Sequence, residues 1–242
     1  MKKIKLLILY FALVSWMAKL HAQETKTYMD AWFLLLNHYE ISDQWSAGSE
    51  IHWRNTRFLK DKEQLLLRPF VDYRRNDKVV YTLGYTYIRS YPFSEMAIPK
   101  TKPEHNVWEQ VTLKHTLHKL AIAHRYRVEH RFQGNLKQND TNDYFVNGYS
   151  FSNRFRYRLT MKYPIHQRLF FQVFDELWIK SDQLFNNLDF GRNWFYIGFG
   201  KKVFDHGSIQ IAYLYQLIKL NAFLYEKHPT VQLTFQYDVK KG

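Results

Sequence analysis

Hydrophobic and polar positions alternate with a period of two along most of the chain. After the first turn, Trp45, Ile51 and Trp53 share one face of an extended strand, whereas Glu50 and Arg54 share the other. The same alternation returns in later segments, and helical spacing accounts for none of them as well. The pattern predicts an all-β protein made of antiparallel strands.

The alternation also indicates how many strands to expect. The segments that we interpret as strands are 31–39, 45–54, 64–74, 79–87, one strand before the turn at 116–119, 120–132, 151–162, 169–179, 195–203, 209–215 and 231–239. These are eleven strands, but bacterial single-chain barrels have an even number. We therefore predict about 12 strands, with 10 as the fallback.

The apolar faces are rich in Tyr, Trp and Phe, many of them near strand ends. A soluble β-sandwich would instead place compact aliphatic side chains between its two sheets. Rings at strand ends are typical of the aromatic girdles at the lipid–water interfaces. We predict a single antiparallel up-and-down transmembrane β-barrel, and a soluble periplasmic barrel or sandwich is the main structural alternative.

The predicted connections alternate in length, as they do in outer-membrane barrels, whose short turns face the periplasm. The short connections are 42–44, 76–78, 116–119, 164–167 and 204–207, and the long ones are 55–63, 92–103, 133–147, 181–189 and 218–228. This rhythm favours a membrane barrel over a sandwich.

The first residues have the layout of a cleaved secretory signal. Lysines precede an apolar run, Ile4–Met17, that is too short to span a bilayer as a helix. We expect cleavage after Ala22. The expected organisation is a signal peptide, 1–22, followed by an outer-membrane β-barrel domain, 23–242, and the expected localisation is the outer membrane.

Charge and cysteine content narrow the classes of function. Loss of the signal removes four lysines and no acid, so the formal charge falls from +13 to +9. The chain has no cysteine, which excludes a disulfide framework, thiolate catalysis and a Cys-based zinc site. A basic chain can bind nucleic acid, but export and alternation argue against that partner. We expect no nucleic acid, no metal and no cofactor.

Short charged motifs resemble those of a known family. They are the runs RYRVEHR at 125–131 and RFRYR at 154–158, Glu176 within FDELW, and Arg192 with Asn193 before an aromatic strand, together with Trp45 after the first turn. These motifs resemble the domain of unknown function 2490 (DUF2490) family of uncharacterised Gram-negative outer-membrane proteins. The resemblance covers essentially the whole mature chain. It implies an outer-membrane barrel, and no established reaction, ligand or partner.

If the apolar residues face lipid, the opposite face lines the lumen. The predicted lumen charge network consists of Glu50, Arg54, Arg68, Asp72, Arg74, Arg125, Arg127, Glu129, Arg131, Arg154, Arg156, Arg158 and Glu176. Because the guanidinium fork suits bidentate carboxylate partners, we predict a mainly structural, ion-paired lumen in a protein of unestablished activity.

Two other functions stay open. Surplus guanidinium groups favour negative solutes in pores, so a small anion-preferring pore with an anionic solute is one alternative. A lipid-modifying enzyme with a Ser and His pair on the outer face is the other; His124 and His130 lie on the apolar face, but no Ser stands beside them, so we name no catalytic residue. The expected partners are outer-membrane lipids and lipopolysaccharide, and the barrel-assembly machinery during biogenesis.

Overall fold

The computed structural model describes residues 24–93 and 98–239, so the predicted signal peptide, 1–22, lies outside the described residues. Within them, no helix is long and apolar enough to cross a membrane. The strands are β1 Glu24–Thr27, β2 Asp30–Glu40, β3 Trp45–Thr56, β4 Asp61–Asn76, β5 Val79–Ser90, β6 Lys102–Leu117, β7 Leu120–Gln138, β8 Tyr144–Pro164, β9 Leu169–Ser181, β10 Asp189–Phe204, β11 Gly207–Lys219 and β12 Leu224–Val239.

The strands from β2 to β12 form a closed barrel. Each pairs antiparallel with the next, and β12 returns to pair in parallel with β2, from Thr230 opposite Asp30 to Val239 opposite Tyr39. An odd number of strands in an up-and-down chain brings the first and last strands into the same direction, so the closure must be parallel. The prediction of an all-β barrel of about 12 strands is confirmed, since β1 is the twelfth strand of the sheet.

β1 and β2 both pair with β12, and the pairing is interrupted between them at a proline of β12. β1 pairs with β12 up to Thr27 opposite Lys227, and β2 resumes at Asp30 opposite Thr230. Pro229 lies in this gap and has no backbone N–H to donate. The carbonyl of Met29 accepts a hydrogen bond from the Phe58 N–H instead, at 2.5 Å. The barrel therefore closes on the eleven strands that the alternation indicates.

The connections lie at two ends, which we call the turn end and the loop end. The turn end carries 41–44, 77–78, 118–119, 165–168 and 205–206, and the loop end carries 57–60, the described parts 91–93 and 98–101, 139–143, 182–188 and 220–223. The alternation of end is as predicted, but some loops are shorter: the predicted connection 133–147 shrinks to 139–143. Its flanking segments pair as a hairpin extension in which polar and apolar residues are mixed on both faces, such as Lys137 opposite Phe145, so no period of two marks them.

The wall has an apolar outer face and a buried inner face. In β10, for example, Phe195, Ile197 and Phe199 are exposed, whereas Trp194 and Tyr196 between them are buried. The inner face combines an aromatic and aliphatic cluster with buried polar and charged groups. The barrel interior thus holds many packed side chains.

Glycines in the wall make room for inward-facing rings. Gly84 in β5 lies opposite Trp108 in β6, and a Cβ at Gly84 would come within 2.1 Å of the indole. The indole Nε1 donates to the Thr86 hydroxyl at 2.9 Å. Gly200 accommodates Phe170 in the same way, since a Cβ at Gly200 would lie 2.1 Å from the phenyl ring. Ring and glycine therefore fix the local shape of the wall together.

Gly84→Ala is expected to destabilise the barrel by about 1 to 3 kcal/mol, since the new methyl group must displace Trp108. Denaturant unfolding of the refolded protein measures the loss. In a Trp108→Leu background the same glycine change should cost much less, because the clashing ring is gone. Equal costs in the two backgrounds would contradict the proposed clash.

Candidate functional site

Two carboxylates are buried in the lumen, on the two strands that flank β8. Glu129 in β7 is 1% exposed and Glu176 in β9 is 0% exposed. Glu176 accepts hydrogen bonds from the guanidinium groups of Arg125, Arg156 and Arg158; the Arg156 Nε–Oε1 distance is 2.8 Å and the Arg158 Nη2–Oε2 distance is 2.6 Å. Three cations thus surround one carboxylate.

Glu129 has a similar shell. Arg154 donates to one of its carboxylate oxygens, Arg156 Nη1 to the other at 2.7 Å, and Arg127 Nη1 is 3.8 Å away. Arg156 therefore bonds both buried carboxylates and joins β7, β8 and β9. The cluster holds five arginines and two glutamates, so it keeps a positive surplus.

Two further arginines have carboxylate partners elsewhere in the lumen. Arg68 donates to Glu50 at 2.6 Å and to the Thr86 hydroxyl at 3.0 Å. Arg131 forms a bidentate pair with Glu104, at 2.8 and 2.9 Å. Glu104 is a residue that sequence reasoning missed, because no clear alternation marks the first half of β6.

The structure does not join the remaining predicted network residues to these groups. Arg54 donates to the Gln64 amide oxygen at 2.8 Å rather than to a carboxylate. Asp72 has no arginine partner among the described residues; it accepts from the Thr82 hydroxyl at 2.5 Å and lies 3.2 Å from His38 Nε2. Arg74 lies at the turn end, half-exposed and 3.7 Å from Glu40.

Inward-facing tryptophans separate and support the arginines, and sequence reasoning missed them as well. The Arg156 Cζ lies 3.8 Å from the Trp178 ring centroid, and Arg127 lies 3.8 Å from that of Trp108. Guanidinium groups over indole faces gain cation–π attraction, which is stronger when water is excluded. The signal was present: Trp178 follows Glu176 at the spacing of two that shares a face, although indoles were expected only outside.

The indoles extend the cluster across the lumen to the closure strands. The Trp178 and Trp194 ring centroids are 4.5 Å apart, and those of Trp194 and Trp32 are 5.5 Å apart. Arg54 Cζ lies 4.0 Å from the Trp32 centroid and 5.6 Å from that of Trp194. We call this row of indoles, with the Glu129–Arg156–Glu176 bridge, the lumen plug.

A second buried polar group fastens the barrel closure. His228 Nδ1 in β12 lies 2.7 Å from Asp30 Oδ2 in β2, and its Nε2 lies 3.2 Å from Glu226. Trp32 Nε1 donates to nearby Glu63 at 3.0 Å. These residues come from opposite ends of the chain, so no local sequence pattern could group them.

On the outer face, polar side chains surround His130. Its Nδ1 lies 2.8 Å from the Asn153 side-chain oxygen and its Nε2 3.2 Å from Glu109. Among the hydrogen bonds of the described residues, His130 has no serine partner. His124 has a Tyr157 hydroxyl at 2.9 Å. Neither histidine is therefore paired with a serine nucleophile among the described residues, as the lipid-enzyme alternative would require.

Sequence comparison relates the chain to a protein family. A family model described as "Protein of unknown function (DUF2490)" matches residues 29–225. The chain belongs to the DUF2490 family. No curated protein sequence matches this DUF2490 member. Among solved structures, the NanC porin in a rhombohedral crystal form is similar at 16% identity, over 74% of this chain and 78% of that chain, with a TM-score of 0.44.

Glu176→Gln is expected to lower the free energy of unfolding by about 3 to 5 kcal/mol, since it leaves Arg125 and Arg158 without their carboxylate partner and Arg156 with Glu129 alone. Denaturant titration in detergent measures the loss. Glu40→Gln is the matched control, because its half-exposed pair with Arg74 contributes at most about 1 kcal/mol. Equal losses for the two variants would contradict a central role for Glu176.

Proposed function

We propose that this protein is an outer-membrane β-barrel with a closed lumen, in which the Arg-rich network has a mainly structural role. The observation that carries the proposal is the lumen plug. Indoles and guanidinium groups reach from β9 to the closure strands, with Arg156 3% exposed and Trp194 5% exposed. A solute cannot pass side chains that are packed this closely without displacing them.

Membrane insertion is supported by the outer face. Exposed Leu35, Ile51, Leu67, Leu83 and Phe195 continue one apolar surface from strand to strand. Such a surface is far larger than a soluble monomer leaves uncovered. Outward rings flank it, with Trp45 and Tyr73 5.0 Å apart at the turn end. The hydrocarbon of a bilayer is the cover that this pattern fits.

The two ends suit the two sides of an outer membrane. Short turns face the periplasm in barrels of this class, which places the loop end outside. Lysines gather there, including Lys60, Lys100 and Lys137. Their charges complement lipopolysaccharide phosphates, which makes lipopolysaccharide a proposed contact. Insertion of such a barrel requires the barrel-assembly machinery.

An anion-preferring pore is the second candidate. It is favoured by the surplus of arginine over carboxylate in the central cluster, because fixed positive charge attracts negative solutes. Against it, the plug fills the same space. The two candidates differ in whether the native lumen conducts.

The native protein is expected to give no discrete conductance in a planar bilayer. A Trp178→Ala/Trp194→Ala variant removes two plug rings and should open steps of anion-preferring conductance. Because each loss also costs about 3 to 5 kcal/mol, folding is checked by heat-modifiable migration. Trp45→Ala is the control, since it removes an outward indole. Discrete anion conductance by the native protein would reject the closed lumen and favour the pore.

Membrane residence has its own test. Fractionated cells should hold the protein in the outer membrane, and unboiled samples should migrate differently from boiled ones in mild detergent, because a closed barrel resists unfolding. A stable monomer recovered without detergent would contradict the proposal.

A further inference from the structure

A cavity of about 470 Å³ opens at the loop end of the lumen, between β7 and β11. Five basic side chains line it, and no acidic one among the described residues does: Arg131, Arg154, Lys180, Arg192 and Lys219. The volume is within the range of pockets that hold small ligands. The lining is therefore suited by charge and by size to a small anion.

Three of the five cations have carboxylate partners outside the cavity lining. Arg131 pairs with Glu104, Arg154 with Glu129, and Lys219 with Asp189. These pairs hold the wall of the cavity and contribute little free charge to it.

The two other cations make no close ion pair among the described residues, although Asp189 acts on Lys180 and Glu63 acts on Arg192 at longer range. Lys180 donates to the backbone carbonyl of Lys219 at 3.2 Å, and Arg192 lies over the Trp178 ring at 5.0 Å. Within residues 24–93 and 98–239, neither has a carboxylate oxygen within 4.0 Å. Because a half-buried cation is costly without a close counter-charge, a bound anion would stabilise Arg192. Lys180 is exposed and would add attraction for the anion at the mouth of the cavity.

Neutral donors lie in the same lining. The Ser152 hydroxyl and the Trp178 Nε1 are buried and have no hydrogen-bond partner among the described residues. Trp178 as a whole is 5% exposed. Buried donors without partners are rare in folded proteins, and an anion in the cavity supplies acceptor oxygens for such groups.

One wall residue is a glycine for a steric reason that keeps the site open. A Cβ at Gly191 would lie 2.9 Å from the Lys180 Cγ. The glycine, in a bulge between β9 and β10, lets the Lys180 stem lie along the wall. The arrangement therefore depends on Gly191 as well as on the two cations.

We propose that this cavity binds a small anion bearing a carboxylate or phosphate group, with Lys180 and Arg192 as the charged contacts and Ser152 and Trp178 as neutral donors. A soluble solute and a lipid phosphate share this chemistry. The cavity borders the plug at the loop end and shares Trp178 with it, but the proposed binding does not depend on whether the native lumen conducts.

Isothermal titration of the full barrel in non-ionic detergent at low chloride, with citrate and with inorganic phosphate as probes, tests the proposal. Lys180→Gln and Arg192→Gln should each weaken binding by roughly tenfold, as loss of a charged hydrogen bond does. Lys78→Gln is the matched control, since it removes an exposed lysine at the turn end, and it should bind as the native protein does.

The source of the anion is then resolved in nanodiscs. Citrate binding that phosphatidylglycerol abolishes, relative to phosphatidylcholine, identifies a lipid phosphate as the occupant, and unchanged binding identifies a soluble solute; both support the site. Absence of binding by the native protein to either probe overturns the proposal. The proposal is also overturned if the Lys180, Arg192 and Lys78 variants all lose anion affinity equally, or if none of them loses any.

Discussion

The bridge from Glu129 through Arg156 to Glu176 is the interaction on which the rest of the interior depends. Both carboxylates are removed from water, and an ionised carboxylate without partners in such a place is very costly. Arginines of β7 and β8 provide the compensating charge and hydrogen bonds. A slip of one residue in any of these strands would turn its charged groups outward. The bridge therefore specifies register as well as filling the lumen.

Closure of the barrel is a second constraint, and it acts at the opposite wall. The parallel pairing of β12 with β2 follows from the odd number of strands. Parallel ladders are slightly less stable per residue than antiparallel ones, and Pro229 interrupts this ladder. The buried contact between His228 and Asp30 adds a side-chain link at that point. Backbone and side-chain contacts together join β2 to β12.

The cations of the lumen differ along its length: those in the middle are paired with carboxylates, and two at the loop end are not, within the part of the chain that the structure describes. In the middle, guanidinium groups are fixed by Glu129, Glu176 and stacked indoles. At the loop end, Lys180 and Arg192 border a cavity. Among the described residues, neither side chain forms an ion pair with a carboxylate. The same surplus of arginine that the sequence displays thus has two consequences: a rigid centre and a positive mouth.

The sequence by itself determined the fold class, the order of the strands and the inward direction of most charged residues. A period of two is sufficient for this, because each strand separates its two faces locally. Only the tertiary structure decided which groups meet. It gave Arg54, Asp72 and Arg74 partners outside the arginine–glutamate cluster, and it brought in Glu104, Trp178 and His228. The reason is that pairing across a lumen depends on stagger, closure and ring packing, and these relate residues far apart in the chain.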